Sequence, residues 1–63
     1  MLNALVSLRE CCVGQHRESV DYISHDWISW FLRHNICPIL VPNMVEKPEV
    51  LYHSFQVDLL ILT

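Results

Sequence analysis

Cys11, Cys12 and Cys37 are the side chains of widest chemical reach in this 63-residue chain, because a thiolate can attack a carbonyl or hold a metal ion. A cysteine nucleophile of an α/β hydrolytic domain sits on a tight strand-to-helix turn among small residues, with a histidine and a carboxylate supplied from elsewhere. None of the three has that setting: Cys11 and Cys12 fall in an expected loop, and Cys37 opens an expected strand beside Pro38. Cys11, Cys12, His16 and His25 could be grouped as metal ligands. Adjacent cysteines seldom reach one tetrahedral ion, however, and no C-x-x-C pair is present. The residues thus imply no catalytic group, no metal and no cofactor. Arg9 and Arg17 flank the segment after the first apolar run, and they are the candidate substrate-binding residues, since ligands of open α/β sheets bind at the carboxyl ends of the strands.

Trp27, Trp30 and Phe31 could stack on a base or a sugar. Their spacing supplies another explanation, because Val20, Ile23, Trp27, Trp30, Phe31 and His34 stand at offsets 0, 3, 7, 10, 11 and 14, one stripe of a 3.6-residue helix. Core packing is therefore expected for the aromatics, each contributing roughly 1.5–3 kcal/mol on burial. Ser19 is the expected N-cap of that helix, with Asp21 in its positive first turn. Arg33 and His34 suit its other end, and Asn35 follows where a left-handed residue commonly ends a helix. His25, His34 and His53 read as structural.

The elements around these residues are three apolar runs separated by helical patterns. Ala4 to Leu8 and Ile36 to Val41 read as strands, as does Val57 to Leu62 with its one aspartate, Asp58. Near-continuous apolar runs of this kind suit strands buried on both faces of a parallel sheet. Glu10 to Glu18, with the single glycine Gly14, reads as a surface loop. A second helix is expected from Pro48 to about Phe55, where a proline in the first turn costs nothing. The expected fold class is α/β: a βαβαβ start of a flavodoxin-like, doubly wound parallel sheet, incomplete because three strands and two helices leave the Val57 to Leu62 edge open.

Composition agrees. Hydrophobic residues make up 52% and charged residues 17%, the balance of a core segment and not of a disordered tail. A net charge of −3 with four basic residues gives no footprint for nucleic acid or an anionic membrane surface. The charge-free stretch from Asn35 to Val45 is broken by Pro38 and Pro42 and is too short to cross a bilayer. Three cysteines, an odd number, without a secretion leader point to a reducing cytoplasm.

Four stretches carry a family resemblance. Val6-Ser7-Leu8-Arg9 is similar to the opening strand of the γ-glutamyl-γ-aminobutyrate hydrolase-like branch of the class I glutamine amidotransferase superfamily, with Leu8 where glutamine is frequent. Arg17 to Asp21 and Asp26 to Leu32 resemble that family's first helix. Asn35 to Asn43 resembles its turn and second strand ending in aliphatic-Pro-Asn, with Asn35 in place of the usual glycine. Val57 to Thr63 resembles its third strand, which in the family leads into a Gly-Gly-Asn-Asp-type loop of the oxyanion hole. The resemblance implies that residues 1–63 are the N-terminal portion of a single glutamine amidotransferase-like domain, about a quarter of it. It also implies a full protein that hydrolyses glutamine or a γ-glutamyl amide through a thioester on a cysteine helped by histidine and glutamate. None of those three groups falls within this chain, so the implied role is scaffold, inactive alone. The rival expectation is a small non-catalytic interaction module that pairs, or self-associates, through its open sheet edge. A receiver-like reading ranks behind both, because Arg9-Glu10-Cys11 stands where an acidic pair would be.

Overall fold

The computed structural model describes all residues from Met1 to Thr63. Its elements are β1 (Leu2–Ser7), β2 (Arg9–Val13), β3 (Glu18–Tyr22), α1 (His25–Arg33), β4 (Ile36–Val41), α2 (Pro48–Ser54) and β5 (Leu59–Ile61). β1 lies at the centre of a three-stranded sheet in the order β4-β1-β5, and both of its pairings are parallel. The mixed α/β class expected from the apolar runs is thus observed, with a three-stranded parallel sheet.

The central place of β1 follows from its residues. Ala4 and Val6 are fully buried towards one face, and Leu5 is buried towards the other, because alternate side chains of a strand point to opposite faces. On the first face, Ala4, Val6, Ile36 and Phe31 form the core, joined by Ile23, Trp27, Ile28, Leu59 and Ile61. Phe31 is the anchor of α1, and Trp27 stacks on it with ring centroids 5.7 Å apart. β4 pairs only with β1, so Pro38 occupies an edge strand, where its missing N–H interrupts no second ladder.

Two sequence expectations are corrected. The segment from Glu10 to Glu18 is not a loop. Arg9–Val13 and Glu18–Tyr22 form an antiparallel hairpin with Cys11 opposite Val20 and Cys12 opposite Ser19. Its turn closes through the Arg17 N–H, which donates to the Gly14 carbonyl at 3.3 Å, and both Gly14 (φ 77°) and Arg17 (φ 54°) adopt left-handed backbone. The element order is therefore a βαβαβ path with a hairpin inserted after β1. Secondly, Ser19 does not cap α1. The cap is Ser24, whose Oγ accepts from the Trp27 N–H at 3.4 Å. Val20 and Asp21 belong to β3, and Ile23 reaches the core from the chain just ahead of the helix.

The shortened helix explains the aromatic stripe. Trp27 and Ile28 flank Phe31 on the inner face, whereas Trp30 lies about 100° round the helix from Phe31 and is 39% exposed. Trp30 instead stacks on His34 at 4.3 Å, and the His34 Nδ1 lies 2.8 Å from the Trp30 carbonyl oxygen. Core packing thus holds for Trp27 and Phe31 but only in part for Trp30. The C-terminal stop is as expected, with Asn35 in left-handed backbone at φ 58°. The last helix and strand are a little shorter than expected: α2 ends at Ser54 and β5 covers Leu59–Ile61.

Candidate functional site

The carboxyl end of the sheet is where an open α/β fold places a ligand, and a set of polar groups collects there. Ser7 ends β1, and its Oγ accepts from the Thr63 N–H at 2.9 Å while the Thr63 hydroxyl donates to the Ser7 carbonyl at 2.9 Å. This pair ties the ends of β1 and β5 together. Asn43, two residues past β4, donates its Nδ2 to Asp21 Oδ1 at 2.6 Å and to the Leu8 carbonyl at 3.3 Å, and its N–H to Asp21 Oδ2 at 2.9 Å. One side chain therefore fastens the hairpin to the rim of the sheet. A cleft of about 290 Å³ opens beside these groups, lined by Leu5, Ser7, Val41, Asn43, Leu60 and Leu62 among others.

The polar groups on its rim are already paired with one another. The Ser7 and Thr63 hydroxyls bond to each other's backbone, and the Asp21 carboxylate is occupied by Asn43. No base stands ready to activate a hydroxyl, which general-base catalysis requires within hydrogen-bond reach. The three thiols are free and lie elsewhere. Cys11 and Cys12 are exposed on β2, where neighbouring residues point to opposite faces, so the pair cannot converge on one ion. Cys12 Sγ lies 3.9 Å from Ser19 Oγ. Cys37 is half-buried in β4. No three His, Cys, Asp or Glu side chains come together as metal ligands.

Arg9 and Arg17 are not brought together. Arg9 begins β2 opposite Tyr22, and Arg17 lies in the turn beyond Val13 and Glu18, so the ribbon separates them by roughly 14 Å at about 3.4 Å per residue. Arg9 stands at the rim of the sheet and Arg17 at the tip of the hairpin.

Other contacts hold the sheet together at its amino end. Asp58, the lone acidic residue of its apolar run, accepts from the Asn3 N–H through Oδ2 at 2.8 Å and donates its own N–H to the Asn3 carbonyl at 2.8 Å. Asn3 Nδ2 donates in turn to the Phe55 carbonyl at 3.2 Å. These bonds fasten the amino end of β5 to β1. The signal was available in the isolated polar residues Asn3 and Asp58 interrupting apolar runs. The Asp21 to Asn43 contact gave no such signal, because 22 residues separate its partners.

A second cleft, of about 570 Å³, lies between α1 and β5 and is lined by Ser24, Asp26, Trp27, Trp30 and Ile61. The two tryptophans in its lining are set nearly perpendicular, at 76° with centroids 6.2 Å apart. No helix of the chain is long and apolar enough to cross a membrane. No family model, curated protein or solved structure matches this chain.

Proposed function

We propose that this chain is the scaffold portion of a glutamine amidotransferase-like γ-glutamyl amide hydrolase, a part that shapes one wall of the site and supplies no reacting group. The observation that carries the reading is the parallel order β4-β1-β5. Counting parallel strands alone along the chain, this is the order 2-1-3, with which flavodoxin-like doubly wound sheets begin. The bonds between Ser7 and Thr63 add support, because they set the end of the third parallel strand against the end of the first. A loop continuing from there would cover the carboxyl end of the sheet, where the resembling family keeps its oxyanion hole. Arg9 stands on the same rim and would face glutamine or a γ-glutamyl amide in the whole domain; Arg17, at the hairpin tip, would do so only through movement of the ribbon. Free thiols on the exposed β2 fit a cytoplasmic setting.

Two measurements test this. The purified chain incubated with a chromogenic γ-glutamyl anilide should release anilide at the buffer rate, and thiol-dependent turnover abolished by replacing the three cysteines with serine would refute the scaffold role. Sequencing the transcript past codon 63 should give a Gly-Gly-Asn-type continuation in one of the forward frames. Its absence in all of them would remove the family reading.

A further inference from the structure

We draw no further inference here: the strongest candidate, the face of the β2–β3 hairpin on which Cys11, Val13, Val20 and Tyr22 stand together, is an unpartnered apolar face, and nothing in the structure shows what covers it.

Discussion

Phe31 shows how much of this small fold rests on one side chain. It is fully buried against Ala4, Val6 and Ile36, and truncating a buried phenylalanine costs about 3–5 kcal/mol. A chain of this length has roughly 3–9 kcal/mol in all, at 0.05–0.15 kcal/mol per residue. Phe31→Ala is therefore expected to abolish the cooperative urea transition, whereas Trp30→Ala, one position away on the exposed side of α1, should cost about 1 kcal/mol; equal losses would contradict the packing described. Asn35 offers a change of opposite sign. Its φ of 58° lies in the region that glycine adopts without a Cβ penalty, so Asn35→Gly should raise the urea midpoint by an amount worth a few tenths to ~1 kcal/mol, and Asn35→Val should lower it.

Elements are decided by competition between local signals and distant partners. Ser19 and Ser24 both precede apolar residues at helical spacing, and the stripe from Val20 to His34 makes the earlier serine the natural cap. The pairing of Glu18–Tyr22 with Arg9–Val13 removes those residues from the helix and leaves Ser24 to start it. Ser24→Ala is accordingly expected to lower stability by about 1 kcal/mol, while Ser19→Ala should leave helical circular dichroism unchanged; the reverse result would restore the longer helix. The hairpin was not visible in hydropathy, since every residue of β2 is exposed and no apolar alternation marks it. The remaining hint was Gly14 in a short connection between Val13 and Glu18. An isolated two-stranded ribbon is marginal in water, and here it is held at its base by Asp21 and Asn43. Asn43→Ala should therefore reduce amide-exchange protection across residues 9–13 and 18–22 by roughly tenfold, equivalent to ~1.4 kcal/mol, and leave β1 and β4 protected. Uniform loss of protection everywhere would show that the hairpin is not a separate unit.

At the scale of the whole molecule the dominant fact is incomplete coverage. The radius of gyration is 12.9 Å, against about 10.6 Å for a compact chain of this length, and α2 buries none of its residues. Unfolding must then expose little new surface, so the chain should show a urea m-value of about 1 kcal/mol/M or less; a value near 2 would mean a more compact body than the one described. How much was legible in advance follows from the range of the forces involved. The residues alone determined what depends on near neighbours: three apolar strands, a helix that stops at Asn35 and a proline-led second helix. Tertiary structure alone decided which strand lies in the middle, that a polar stretch folds as a ribbon, and that Arg9 and Arg17 stand apart. Those outcomes turn on contacts such as Asp58 with Asn3 and Asn43 with Asp21, joining groups 55 and 22 residues apart, and no local pattern encodes the partner of a hydrogen bond that only chain reversal brings within reach.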